Sequence, residues 1–433
     1  MDSGTTRLFQ RKITIINLIE YILFLMTTSQ TEPTEPGFYG LGIAPQFMEA
    51  LQRIKFHTPT PIQQKAIPIA LEGKDLIGIA QTGTGKTLAF GIPMLQRLAQ
   101  SNGRGLVLVP TRELAVQVRG DLVKVAPKIK TAVLIGGASM HLQIQDLRRQ
   151  PRILIATPGR LIDHMEQRYV TLSDICILVL DEADRMLDMG FAPQIQRILR
   201  TVPRERQTML FSATMPEAIT RIASSYMRLP VQVEMAKSGT AAEKVTHELF
   251  VVSRESKSKL LKEILAQYHG STLIFSRTKA GAQKITRVIR DLGHRVAEIH
   301  SDRSFGQRRE ALEGFRSGRY RILVATDIAS RGIDVRGIEL VINYDLPEDS
   351  ENYVHRIGRT GRAGALGHAI SFAMPDQEKE VRAIERLMRV PLPVSEHPEL
   401  PKESFFASSR TTQGRGFRSN RRSFAPRRFG RRK

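Results

Sequence analysis

The chain has 433 residues, 41% hydrophobic and 25% charged, enough for two or three domains that each bury a core. Its formal net charge of +22 points to a polyanionic partner such as nucleic acid. The single cysteine, Cys176, excludes an intrachain disulfide and a zinc cluster; inside the apolar run 175–180 it reads as core filler suited to a reducing compartment.

Residues 1–37 look foreign to the rest and are expected to be a disordered or dispensable extension. Residues 13–26 are apolar except for Thr14, Asn17, Glu20 and the Tyr21 hydroxyl, with Arg7, Arg11 and Lys12 ahead of them. A secretory signal has that charge order, but Glu20 in mid-segment and the Thr27-Thr28-Ser29-Gln30 stretch argue against one. The run also falls short of the ~20 residues that a spanning helix needs, so no membrane span is expected. Met26, followed by polar residues, reads as a natural start.

From Phe38 the pattern is regular. Helical periodicity over 45–54 leads into the proline-punctuated loop Phe56-His57-Thr58-Pro59-Thr60-Pro61-Ile62-Gln63. The apolar run 76–79 then meets Ala80-Gln81-Thr82-Gly83-Thr84-Gly85-Lys86-Thr87, where a helix opens. Strand-length apolar runs follow at 106–109, 132–135, 153–156, 175–180 and 209–211, alternating with amphipathic helical stretches. Uninterrupted Val/Ile/Leu runs of this length imply strands covered on both faces, hence a mainly parallel sheet flanked by helices. The pattern breaks near Val233, and residues 236–245 have a linker's composition. A second series runs through 249–252, 272–275, 296–299, 322–325, 340–343 and 370–373, closed by helical periodicity over 378–390. The expected plan is two tandem α/β domains, 38–235 and 246–398, and a low-complexity tail, 399–433. From Arg410 onward that tail holds ten Lys/Arg and no acids, with Phe417, Phe424 and Phe429 among the arginines, so it is expected to be disordered and to bind RNA.

The chemistry-bearing residues follow the strand runs, where open α/β sheets bind ligands. A glycine-rich turn at a helix N-terminus points backbone N–H groups at an anion. Lys86 can reach the β and γ phosphates of a nucleotide, and the Thr87 hydroxyl can ligate Mg²⁺. A flexible turn before a helix is the bland alternative. Asp181-Glu182-Ala183-Asp184 follows the run 175–180. Asp181 suits a metal acid and Glu182 a base or water-orienting group, although a helix N-terminus with helpful negative charge has the same composition. Ser212-Ala213-Thr214, Pro110-Thr111-Arg112-Glu113-Leu114 and Thr157-Pro158-Gly159-Arg160 follow three other runs. Thr326-Asp327 and Arg331-Gly332-Ile333-Asp334 follow 322–325. In His355-Arg356-Ile357-Gly358-Arg359-Thr360-Gly361-Arg362, arginines between glycines suit fingers onto a transferring phosphate.

About ten such motifs in this order over residues 38–390 resemble the DEAD-box RNA helicases, and the second half is similar to the bacterial RhlE-type group. The resemblance implies two RecA-like domains, ATP with Mg²⁺, and RNA held by its backbone. Gln63, with Thr60 and Phe38, would read adenine, and Thr82, Gly83, Thr84, Gly85, Lys86 and Thr87 would hold phosphates. Thr87 and Asp181 would hold the metal, and Lys86, Asp181, Glu182, Arg359 and Arg362 would be catalytic. Asp334 would touch the ribose, and Ser212, Thr214 and His355 would couple ATP state to strand separation. RNA would meet Pro110, Thr111, Arg112, Gly137, Thr157, Gly159 and Arg160, then Arg277, Thr278, Thr326 and Gly332. The chain departs from the pattern at Ala80 and Lys55, each a usual glycine, and at Ser301 and Phe305, which replace glycine and glutamine. A cytoplasmic, monomeric enzyme working on RNA–protein particles, ribosome assembly or RNA decay is the expectation. A DNA-directed helicase of the same superfamily and an ATP-gated RNA clamp are the alternatives.

Overall fold

A computed structural model of the chain describes residues 37–81, 83–235, 245–327, 335, 337–361 and 367–405. The first domain contains helices α1 (Pro45–Arg53), α2 (Pro61–Leu71), α3 (Lys86–Ala99), α4 (Arg112–Val125), α5 (Met140–Arg148), α6 (Pro158–Glu166), α7 (Ala183–Asp188), α8 (Ala192–Thr201) and α9 (Glu217–Tyr226). Its strands are β1 (Leu76–Ile79), β2 (Arg104–Leu108), β3 (Thr131–Leu134), β4 (Ile153–Ala156), β5 (Ile175–Leu180), β6 (Gln207–Ser212) and β7 (Val231–Glu234). The second domain has β8 (Val245–Val251), α10 (Lys257–Gln267), β9 (Thr272–Phe275), α11 (Lys279–Asp291), β10 (Val296–Ile299) and α12 (Phe305–Arg316). It continues with β11 (Ile322–Ala325), β12 (Leu340–Asn343), α13 (Ser350–Ile357), β13 (Gly367–Ala373), α14 (Glu378–Met388) and β14 (Val394–Ser395).

Each domain is built on a seven-stranded sheet, ordered β3-β4-β2-β5-β6-β1-β7 in the first and β10-β11-β9-β12-β13-β8-β14 in the second. Every pairing is parallel. The two orders are the same permutation. Both sheets are buried on two faces: Ile177 and Val179 of β5 enter one apolar cluster, while Leu178 and Leu180 enter the cluster on the other face. In β9, Ile274 and its neighbours Leu273 and Phe275 divide in the same way. A strand buried on both faces needs helical cover on both, which parallel crossovers supply. Gly78 in β1 is required by packing, because a Cβ there would stand 2.6 Å from the Phe211 ring.

The predicted runs lie in these strands or overlap them. The runs do not reveal β7 and β14, both edge strands. In β7 only Val233 is buried, so the run is too short and too polar to stand out. Cys176 is half-buried rather than a core residue, with its thiol 3.6 Å from the Arg104 carbonyl beside an irregular register between β2 and β5. Among the described residues no helix is long and apolar enough to cross a membrane. The expectations for residues 1–36, for most of the linker and for the basic tail beyond Phe405 lie outside the described residues.

Candidate nucleotide and nucleic-acid site

The first sheet places β5, β6 and β1 side by side, so their C-terminal loops share one rim. Of the phosphate-loop residues, Gly83 and Gly85 have φ of +84° and +88°. Gly85 is doubly required, because an added Cβ would also collide with the Gln63 amide. Lys86 is buried, and its Nζ donates to the Ala80 carbonyl at 3.0 Å. The Thr84 hydroxyl donates to the Gln81 carbonyl at 2.7 Å, closing the turn. Thr87 follows as the second residue of α3, on the same rim.

Gln63 ties this loop to α2. Its amide donates to the Gly85 carbonyl at 2.9 Å, and its carbonyl accepts from the Thr60 N–H at 2.9 Å. Phe38 belongs to the first-domain apolar core and is 2% exposed. Its ring is packed in that core rather than exposed at the rim.

The acids after β5 are buried together. The Glu182 backbone is left-handed, with φ of +53°, a strained state for a side-chain-bearing residue. Its carboxylate pairs with Arg185 at 2.8 Å, three residues on and equally buried. Burial pushes Glu182 upward, but Arg185, Lys86 and Arg359 outweigh it and hold the carboxyl below its ordinary range. Burial pushes Asp181 up to about 6, against the pull of Lys86. Asp184 is a hub. It accepts from the backbone N–H groups of Ala213 and Thr214 at 2.9 and 3.0 Å, and from the Thr214 hydroxyl at 3.3 Å. The Asp184 N–H donates to Ser212 Oγ at 3.2 Å. Lys86 and the backbone N–H groups of Arg185, Thr214 and Ala213 outweigh burial and hold the Asp184 carboxyl below its ordinary range. Ser212 and Thr214 are thus fastened to the acidic loop.

From the second domain, α13 and the turn after it reach this rim. Arg359 is buried, and its charge acts on Glu182. His355 is driven down to about 4 by burial and by the adjacent Arg185 and Arg359, so it is neutral at physiological pH. Arg356 corrects the reading of the arginine series as fingers. Its side chain is 2% exposed and grips Asp327 with both arms, at 2.6 and 2.7 Å. It also donates to Asn343 Oδ1 and the Asp345 carbonyl and lies 4.9 Å over the Phe275 ring. Arg356 is an internal brace of the second domain. Lys257, which opens the helix after β8, is the topological counterpart of Lys86. It pairs with Asp345 at 3.0 Å, where Lys86 instead donates to the Ala80 carbonyl.

The residues expected to meet RNA gather on the remaining strand ends. Pro110, Thr111 and Arg112 follow β2, Gly137 follows β3, and Thr157, Gly159 and Arg160 follow β4; these three strands are neighbours. Thr111 caps α4 by accepting from the Leu114 N–H at 3.2 Å. The Arg112 guanidinium lies against Gly136 and Gly137, and Arg160 donates to the Ala138 carbonyl at 3.2 Å. In the second domain Thr326 follows β11, while Arg277 and Thr278 follow β9. The latter two line a cleft of about 420 Å³ that also presents Arg254 and Lys284. Thr82, Gly332, Asp334 and Arg362 lie outside the described residues. Sequence reasoning missed Arg185, although its i,i+3 spacing from Glu182 was visible. It also missed the pair Glu113–Arg308, 3.0 Å apart across the two domains.

Two tandem parallel-sheet domains with a phosphate-loop rim completed from the second domain define a nucleotide-dependent helicase core. A family model described as DEAD/DEAH box helicase matches residues 60–222, and one described as helicase conserved C-terminal domain matches residues 256–364. The chain is 42% identical over 368 residues to an ATP-dependent rRNA helicase, RRP3, of Debaryomyces hansenii, covering 84% of this chain and 77% of that one. It is 43% identical over 355 residues to an ATP-dependent RNA helicase, CshA, of Listeria monocytogenes, covering 80% and 68%. The chain belongs to the DEAD-box RNA helicase family. Its structure is similar to Saccharomyces cerevisiae Dbp5 bound to RNA and ADP BeF3, with a TM-score of 0.75, 31% identity and coverage of 83% and 95%. It is also similar to Mss116p bound to single-stranded RNA and AMP-PNP, with a TM-score of 0.77, 26% identity and coverage of 86% and 82%.

Proposed function

We propose that this chain hydrolyses ATP under RNA control and uses domain closure to separate short RNA duplexes or remodel RNA–protein complexes. The observation that carries this is the cleft where first-domain Arg185, the partner of Glu182, meets second-domain His355 and Arg359. A site divided in this way works only when the domains meet. RNA held across both domains favours the same closed form as ATP, so each ligand strengthens the other.

Lys86 and the loop N–H groups take the β and γ phosphates. Asp181 and the Thr87 hydroxyl form a hard-oxygen pair that fits Mg²⁺, and the buried, reluctantly ionised Asp181 is the carboxylate a cation would relieve. Bound there, Mg²⁺ would neutralise developing phosphate charge. Glu182, held ionised by Arg185, is a weak proton acceptor, so its role leans towards orienting the attacking water. Arg359 and Arg362 stabilise the transferring phosphoryl group, and Asp334 meets the ribose. Gln63 keeps one amide hydrogen and one carbonyl lone pair for the adenine edge, with Thr60 and Phe38 shaping that end. Asp184 transmits the state of the acidic loop to Ser212 and Thr214, with His355 facing them from the second domain.

RNA crosses Pro110–Arg112, Gly137, Thr157–Arg160, Arg277, Thr278, Thr326 and Gly332, mainly through sugar and phosphate. The second half supports assignment to the RhlE-type group by sequence pattern. The net charge and the rRNA helicase relative support an RNA–protein particle as the target, and a monomeric, cytoplasmic enzyme is the working form proposed. ATPase assays with RNA, DNA or neither, using ATP and GTP, test this reading. It predicts turnover only with ATP and RNA; equal stimulation by DNA, or equal use of GTP, contradicts it.

A further inference from the structure

Phe305 stands where this family's pattern has a glutamine, and the structure gives it a place. It is the first residue of α12, whose N-terminus is fixed by Ser304 and Gln307: Ser304 Oγ accepts the Gln307 N–H at 3.3 Å, and the Ser304 N–H donates to Gln307 Oε1 at 3.0 Å. A capped helix start holds its first turn rigidly. The i,i+3 spacing puts Phe305 and Arg308 on one face of α12. That face meets the first domain at the start of α4. Arg308 pairs with Glu113 at 3.0 Å, with side chains 13% and 6% exposed. Beside the pair, Phe305 packs against the first-domain apolar cluster that includes Leu114, Ala115 and Val118 of α4.

We propose that Phe305, Arg308 and Glu113 form a latch that holds the two domains closed, with Phe305 as its apolar positioning residue. The argument rests on what each part contributes. A buried ion pair gains little net free energy, because desolvation offsets attraction, but it fixes register: Arg308 seats only against Glu113. An aromatic ring leaving water is favourable wherever it lands. The two together give closure both a direction and a driving force. A glutamine at 305 would carry polar groups into the same dry contact and weaken it. The latch also borders the RNA path, since Arg112 adjoins Glu113 at the head of α4. Residues that make contact only after closure raise the population of the closed form, and hence RNA affinity, without touching RNA.

This inference deepens the proposed function and rests on RNA-driven closure. The test is the full-length protein with Phe305→Ala, Phe305→Gln and Phe305→Leu. Half-saturating RNA for ATPase should rise about five- to tenfold for Ala and Gln, from half-burial of one ring. The Leu variant should return to within about twofold, because its apolar area is similar. Maximal ATPase at saturating RNA, ATP affinity without RNA and the melting temperature should stay at the wild-type values. A merely structural role would lower the melting temperature and maximal rate instead, and would overturn the latch. A second arm uses charge reversal: Glu113→Arg weakens RNA half-saturation, and adding Arg308→Glu restores it. Failure to restore, or unchanged half-saturation in the Phe305 variants, overturns the proposal. Small-angle scattering with RNA and AMP-PNP separates the two levels. Wild-type compaction that the Ala variant shows only at higher RNA supports the latch. Wild-type compaction matched by the Ala variant at the same RNA overturns the latch alone. No compaction in the wild type overturns the closure reading and the latch with it.

Discussion

Arg356 and Arg359 stand three residues apart in one motif, and replacing each by alanine should give opposite defects. Arg356→Ala removes both arms of the clasp on Asp327 and the bonds to Asn343 and the Asp345 carbonyl. Asp327 is 24% exposed and Arg356 2%, so the partner carboxylate is left mostly desolvated. Breaking one side of such a pair costs about 3–5 kcal/mol. At about 2–4 °C per kcal/mol for a domain of this size, the second-domain transition should fall by roughly 10 °C. Lysine at 356 should rescue little, because it cannot make the two-armed grip. Arg359→Ala should lower that transition by much less, because its charge serves the cleft between the domains and not the clasp on Asp327. Differential scanning calorimetry of the two variants, with ATPase measured well below either midpoint, separates the effects. A wild-type melt for Arg356→Ala would refute the brace.

Three further outcomes follow. Glu182→Gln should retain ATP binding, abolish turnover and trap a long-lived complex with ATP and RNA, because Lys86, Thr87 and Asp181 are untouched; wild-type hydrolysis by this variant removes Glu182 from its role. Asp181, raised to about 6, must be ionised to hold Mg²⁺, so affinity for Mg·ATP should weaken as pH falls from 7.5 to 5.5, by up to about tenfold per unit below 6. The stability effect has the opposite sign, since a raised folded-state pKa favours the fold at low pH and that contribution is lost as pH rises through about 6. Asp181→Asn should flatten the affinity profile, and a wild-type profile parallel to the variant's contradicts the assignment. Cutting the chain after Pro401 removes the ten positive charges of residues 410–433; if about half of these meet phosphates, the log–log salt slope of RNA affinity should fall by roughly 3 to 4. Parallel slopes for full-length and shortened protein rule out the tail as an RNA tether.

The sheet was legible because period and burial coincide: runs such as 153–156 and 340–343 are apolar at every position, as strands covered on both faces must be. The placing of the acids and the glycine-rich turn on one rim was legible because each motif directly follows a strand run. What stayed hidden depends on distance in the chain. The motif alone does not separate Arg356, in the last turn of α13, from Arg359 just beyond it, since only the fold brings Asp327 to one of them. Phe38 was an aromatic upstream of a nucleotide loop, and its burial depends on a core assembled from many elements. Phe305 registered only as a departure, because its contact lies in the other domain.

The central claim is that one catalytic site is shared between two domains, and Arg359→Lys addresses it most directly. Lysine keeps the charge but loses the planar fork that spans the transferring group. Single-turnover hydrolysis at saturating ATP and RNA should fall about 10³-fold or more, by comparison with other arginine-finger systems, with ATP and RNA binding retained. Hydrolysis at the wild-type rate in that variant would remove Arg359 from the chemistry and contradict the shared site built on it.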